Sequence, residues 1–190
     1  MRIWVLPAVL LILLTGFNSQ PASPDVSCRK SKLMLGNLAI NKNWDIKEIT
    51  DNIGQPNRKV AVGDTIYVYD SLGIFVRKPA PGSEYQNVVR EVELFMSQLL
   101  TDKNAPKNAF KGKVVLGNMK LTSATAMFEV KEKLKGFNEH NTSIPHTLKY
   151  YAPKEGLFVW LNFTDNELRL ETITFEVQLS TFIKLENKLF

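Results

Sequence analysis

An internal echo with a spacing of 81 residues runs through this 190-residue chain. Leu35-Gly36-Asn37 returns as Leu116-Gly117-Asn118, Glu48-Ile49 as Glu129-Val130, and Ile53 as Leu134. Val92, Leu94 and Met96 return as Ile173, Phe175 and Val177. An echo of this length constrains architecture before any single residue is interpreted, because each copy has to bury the same apolar positions. The offset drifts to 82 at Tyr69/Tyr151 and 83 at Gly73/Gly156, then returns to 81. That drift places the length change in a hairpin turn.

Each copy reads as strand, helix and three antiparallel strands. In the first, residues 34–40 form a strand around Gly36, and Asn41 or Asn43 caps a helix over 44–53. Ile46, Ile49 and Ile53 share one face of that helix, which Gly54 and Pro56 terminate. The β-branched and aromatic run 65–69 turns at 70–73 and returns at 74–76, with a further strand over 88–96. In the second copy, residues 114–121 open as a strand. Ser123 or Thr125 caps a helix carrying Met127, Val130 and Leu134, and Gly136 ends it. Strands over 147–151, 156–163 and 169–179 follow. In the last of these, Ile173, Phe175, Val177 and Leu179 alternate with Thr172, Thr174, Glu176 and Gln178, one buried face and one wetter face.

The expected fold class is therefore α+β, a tandem repeat of two helix-on-antiparallel-sheet units. The expected division is a signal peptide (1–22), a flexible leader (23–32), a first repeat (33–97), a connector (98–112), a second repeat (113–182) and a tail (183–190). Phe110 is expected at the interface between units.

The ends and the charge bound the partners. Arg2 followed by an apolar run over 3–14 has the order of a secretory signal. The run is shorter than the ~20 residues of a spanning helix and contains Pro7. The chain is expected to be exported, periplasmic or secreted, touching membrane only through an uncleaved N-terminal segment. Cys28 is the sole cysteine, so no internal disulfide forms. Asp25 three places before it departs from the lipoprotein pattern, and lipid anchoring at Cys28 is not expected. The net charge of +5 is diffuse. It clusters only at 29–32 and 103–113, so no nucleic-acid partner is expected.

Catalytic motifs are hard to find. His140 and His146 are six apart in a loop, not a helical ligand pair, and no metal or cofactor site is expected. Ser143 near His146 lacks a nucleophile elbow. Gly36 and Gly117 are isolated rather than phosphate-loop glycines. Asp70 reads as a turn residue bonding its own backbone. The aromatic residues Tyr67, Tyr69, Phe75, Tyr150, Phe158 and Trp160 lie in the two hairpins. Facing outward they would suit a protein partner. Facing inward they would form core between the units, which apolar residues on both parities favour.

Two stretches carry a family resemblance. Tyr67-Val68-Tyr69-Asp70-Ser71-Leu72-Gly73-Ile74 resembles the Tyr-x-Trp-Asp-x-Leu-Gly-Ile stretch of the bacterial domain-of-unknown-function family 7738, with Tyr69 in place of Trp. Ala105-Pro106-Lys107-Asn108-Ala109-Phe110-Lys111-Gly112 resembles that family's Pro-Lys-x-x-Phe-x-Gly connector. The resemblance implies no catalytic residues. A looser architectural likeness is to the β-lactamase inhibitor protein and to small outer-membrane assembly lipoproteins, through the helix ending Glu48-Ile49-Thr50-Asp51-Asn52-Ile53-Gly54-Gln55-Pro56. The expected function is a non-enzymatic, exported protein-binding module (inhibitor, immunity-like or assembly factor), with another envelope or secreted protein as partner. A small hydrolase, or a ligand carrier with a cavity between the repeats, is the alternative.

Overall fold

A computed structural model describes residues 23–29, 32–40, 44–86, 88–99, 102–134, 138–140, 145–152 and 156–177. The first half contributes strands β1 (Val26–Arg29), β2 (Lys32–Leu35) and β3 (Leu38–Ile40), helix α1 (Ile46–Ile53), and strands β4 (Arg58–Val62), β5 (Asp64–Tyr69), β6 (Ile74–Lys78) and β7 (Glu91–Phe95). The second contributes β8 (Val114–Leu116), β9 (Met119–Leu121), α2 (Met127–Lys133), β10 (Asn138–His140), β11 (Thr147–Ala152), β12 (Leu157–Phe163) and β13 (Leu170–Val177).

These strands form two sheets, one in the order β3-β2-β1-β8-β9 and one in the order β10-β11-β12-β13-β7-β6-β5-β4. The architecture is mostly β, which overturns the expected α+β tandem of helix-on-sheet units. The helices are only 8 and 7 residues long and cannot form layers of their own. The two halves also share both sheets. Strand β7 pairs antiparallel with β13, and β1 pairs parallel with β8. A lone meander of three strands would leave two open edges; joining β7 to β13 gives those backbone groups partners.

The leader expected at 23–32 is built into the fold. Strand β1 is the middle of its five-stranded sheet, and Val26 is buried. Its N–H donates to Lys113 O at 2.8 Å. The strands expected around Gly36 and Gly117 are tight hairpins instead, with φ of 59° and 58° at the two glycines. Such values suit a residue without Cβ.

The helix caps also differ from expectation. Asp45 caps α1, its Oδ1 accepting from Glu48 N at 2.9 Å, while Asn41 and Asn43 lie outside the described residues. Gly54 (φ 92°) ends α1, as its position suggests. At α2 the N-cap is Ala126, whose N–H donates to Glu129 Oε2 at 2.9 Å. Thr125 Oγ1 accepts from Thr122 N instead. Gly136, the hairpin turn at 153–155 and residues 178–190 lie outside the described residues.

One apolar cluster joins the five-stranded sheet, both helices and one face of the eight-stranded sheet. Trp44, Ile49, Leu94, Val130, Leu161 and Phe175 belong to it. A smaller cluster of Ile66, Val68, Phe75, Phe95 and Ala105 lies on the opposite face, where the connector covers the β4–β7 end. Among the described residues no helix is long and apolar enough to cross a membrane.

Candidate functional site

The side of the eight-stranded sheet away from the core carries the chemistry. Side chains alternate along a strand, so a register places them in rows across the sheet. One row is Arg77, Glu91, Glu176, Phe158 and Tyr151. The next is Phe75, Glu93, Thr174, Trp160 and Lys149. A third begins Phe95, Thr172, Asn162 and Thr147. The opposite parity, including Val92, Leu94, Ile173 and Phe175, is core.

Arginines offset part of the acidic charge on this face, where Glu91 and Glu176 stand directly opposite each other. Arg77 Nε lies 3.4 Å from Glu91 Oε2, close enough for an ion pair although the nitrogen has no aligned hydrogen-bond acceptor. Its guanidinium stands 5.6 Å from the Phe75 ring centre. Arg90, just before β7, reaches Asp64 at 3.6 Å and Glu176 at 3.5 Å. Trp160 Nε1 donates to Glu176 Oε2 at 2.9 Å. The Lys149 ammonium sits 3.9 Å from the Phe158 ring centre and 4.2 Å from that of Trp160, a cation held against two π faces. Thr147 Oγ1 donates to Asn162 Oδ1 at 3.0 Å, and Asn162 Nδ2 donates to Thr172 Oγ1 at 2.8 Å.

Among the described residues Glu93 is the carboxyl moved furthest from its ordinary range. Burial pushes its carboxyl from 4.5 up to about 7; hydrogen bonding with Thr172 opposes the rise and neighbouring Glu91 adds to it. Glu91 is also raised, again chiefly by burial, with Arg77 opposing. A carboxyl poised near neutrality can donate or accept a proton under ordinary conditions. Among the described residues no cluster of histidine, cysteine and acids could hold a metal ion.

The six aromatic residues singled out in the sequence do not share a surface. Tyr69 and Tyr150 are buried in the main core, and Tyr67 packs partly buried against it. Phe75 is buried in the smaller cluster, 5.3 Å from Phe95 ring to ring. Only Phe158 and Trp160 lie partly exposed on the outer face, their ring centres 6.5 Å apart. His146 Nε2 is 3.8 Å from Asp165 Oδ1, and the backbone of His140 pairs with Lys149. Ser143 lies outside the described residues. Sequence reading passed over Arg77, Arg90, Glu91, Glu93 and Glu176. For Glu91, Glu93 and Glu176 the signal was the wetter parity of β7 and β13, a pattern that carries no motif; Arg77 in β6 and Arg90 before β7 had none.

Asp70 has a different task from the one expected. It is buried, and its carboxylate does not close its own turn. Arg58 Nε lies 3.1 Å from Asp70 Oδ2, and Lys107 N donates to Oδ1 at 3.0 Å. Arg58 Nη2 also donates to Ala105 O at 2.7 Å. Nearby, Gly73 has φ 70°, and a Cβ there would overlap the backbone of Ala109 and Phe110. Phe110 N donates to Phe95 O at 2.7 Å. The stretches 67–74 and 105–112 thus clasp each other, and their shared residues serve architecture.

Comparison with known proteins adds three findings. The family model described as "Domain of unknown function (DUF7738)" matches residues 25–131. No curated protein matches the chain. Among solved structures, an extracellular protein containing a SCP domain from Bacillus anthracis str. Ames is similar at 12% identity and a TM-score of 0.42, over 72% of this chain and 44% of that one. A cysteine-rich secretory protein from Staphylococcus aureus subsp. aureus Mu50 is similar at 11% identity and a TM-score of 0.40, with the same coverage. The chain spans less than half the length of those two proteins.

Proposed function

Because the chain belongs to the DUF7738 family, whose function is unknown, we propose a reading from its own surface. It is an exported, non-enzymatic protein that binds another envelope or secreted protein through the outer face of its eight-stranded sheet. The observation that carries this reading is the linked set Lys149, Phe158, Trp160, Glu176 and Arg90. Tryptophan and arginine dominate the binding energy of many protein interfaces, and here partners on neighbouring strands hold both in place. Such pre-ordering lowers the entropy lost on binding. Export rests on the basic start and apolar run of residues 2–14.

The test is capture from envelope extract by the full-length chain, run in parallel with Trp160→Ala, Arg90→Glu and Phe128→Ala. Phe128 is 70% exposed on α2, away from this face, and serves as the control. The reading expects one partner retained by the wild type and Phe128→Ala and lost from both face variants. Capture that ignores Trp160 and Arg90 would overturn it.

Glu93 supports a second reading, a small hydrolase with this carboxyl as general acid or base. Ester and amide turnover by the wild type, lost in Glu93→Gln with the fold intact, is its expected outcome. Equal turnover in both would remove it.

A further inference from the structure

A cavity of about 300 Å³ opens where the end of the connector meets β9. It is separate from the outer sheet face. Its floor is apolar: Met96, Phe110 and Leu121 line it and are themselves buried. Its rim is cationic. Lys111 and Lys113 reach it from the connector and Lys120 from β9, with Thr122 and Ser123 beside them. Among the described residues none of the three ammonium groups has an acidic partner within ion-pair distance. The nearby Asp25 carboxylate accepts from the Lys113 backbone N–H at 2.9 Å.

The wall of the cavity is closely packed at Gly112. A Cβ on Gly112 would overlap the Phe110 ring and Pro24 O, so connector, aromatic ring and N-terminal segment are in close contact. Three lysines border one hollow with no described acid paired to them, so an anion is the ligand whose charge complements the rim. The volume is at the lower end of small-ligand sites, enough for a single ring or short chain.

We propose that this cavity binds a small organic phosphate monoester, with the phosphate held by Lys111, Lys113 and Lys120 and the apolar part seated on Met96, Phe110 and Leu121. A phosphate monoester carries a charge of about −1.5 to −2 at neutral pH, matched by two or three lysines. The hydroxyls of Thr122 and Ser123 add donors for the remaining phosphate oxygens. Lysine binds phosphate as a point charge and does not need a fixed fork geometry, which suits a ligand entering an open rim.

The experiment titrates phenyl phosphate into the full-length chain, followed by backbone amide NMR. Neutral benzyl alcohol is the control ligand, and a Lys113→Ala/Lys120→Ala variant the control protein. Saturable shifts confined to residues 110–113 and 119–123 are expected, with at least fivefold weaker binding of benzyl alcohol. The variant should bind phenyl phosphate at least tenfold more weakly at an unchanged melting temperature, since both lysines are exposed. A parallel arm compares vesicles of phosphatidic acid with vesicles of phosphatidylcholine. Preference for phosphatidic acid that disappears in the variant, without phenyl phosphate binding, would assign the phosphate to a lipid headgroup. Phenyl phosphate binding without vesicle preference would assign it to a soluble ester. Failure of both arms, or binding unchanged in the variant, overturns the inference.

Discussion

The Asp70 carboxylate accepts a hydrogen bond from the Lys107 backbone N–H at 3.0 Å, across 37 residues of chain. With Arg58 on its other oxygen, it ties the β5–β6 turn to the connector that crosses the outer sheet face. Asp70→Ala should cost about 2–3 kcal/mol, because Arg58 and a backbone N–H lose their acceptor together. Arg58→Ala should cost a similar amount. The double variant should fall short of the sum by more than about 0.5 kcal/mol, since the groups act in one network. Urea unfolding of the four proteins measures this, and strict additivity would mean the clasp is not a unit.

Two glycines with positive φ should respond very differently to alanine. At Gly54 no atom lies within 4 Å of an added Cβ, so only the backbone strain at φ 92° and ψ −176° remains, on the order of 1–3 kcal/mol. At Gly73 the same methyl meets the backbone of Ala109 and Phe110, which cannot rotate away. Gly73→Ala should cost more than about 3 kcal/mol or prevent folding, because the clasp has to open. Comparable thermal melts for the two variants would contradict this packing.

Stability should fall as pH rises across the range set by Glu93. Its carboxyl goes from 4.5 to about 7 on folding, so between these values the unfolded chain has released a proton that the folded chain retains. The unfolded state then binds fewer protons, and unfolding free energy declines with pH until the folded carboxyl ionises as well. Glu91 is raised in the same direction and adds to the decline. Glu93→Gln should flatten the profile between pH 5 and 8 and gain on the order of 2 kcal/mol at the upper end. Chemical denaturation of both proteins at pH 5 and pH 8 checks the slope; a stability difference between them that does not change with pH would exclude the burial of this group.

Ile49 and Val130 are both fully buried in the main core, 81 residues apart. Ile49→Asp and Val130→Asp should each cost more than about 4 kcal/mol, because neither site offers a partner for a buried carboxylate. Circular dichroism would show either variant unfolded or with a sharply lowered melting temperature. A harmless Val130→Asp would place α2 outside the core.

What was legible in the sequence was local. The alternation of Val92 and Leu94 with Glu91 and Glu93 marked both faces of β7, and Gly54 marked the end of α1. Tyr67 and Val68 fall on opposite faces of β5, because neighbouring residues on a strand point to opposite sides. Such features follow from dihedral preferences and short-range periodicity, which a chain carries wherever it folds.

The tertiary structure alone decided which edges joined. The parallel pairing of β1 with β8 and the antiparallel pairing of β7 with β13 turned an expected pair of helix-on-sheet units into two shared sheets. The same pairings placed Tyr69 and Tyr150 in the core while Trp160 remained on the outer face. The β7–β13 pairing set Glu93 beside Thr172 and Thr174, and the return of the connector carried Lys107 to Asp70 and Ala105 to Arg58. Strand pairing, burial and carboxyl desolvation depend on groups far apart in the chain, and no local pattern encodes the energy of their meeting.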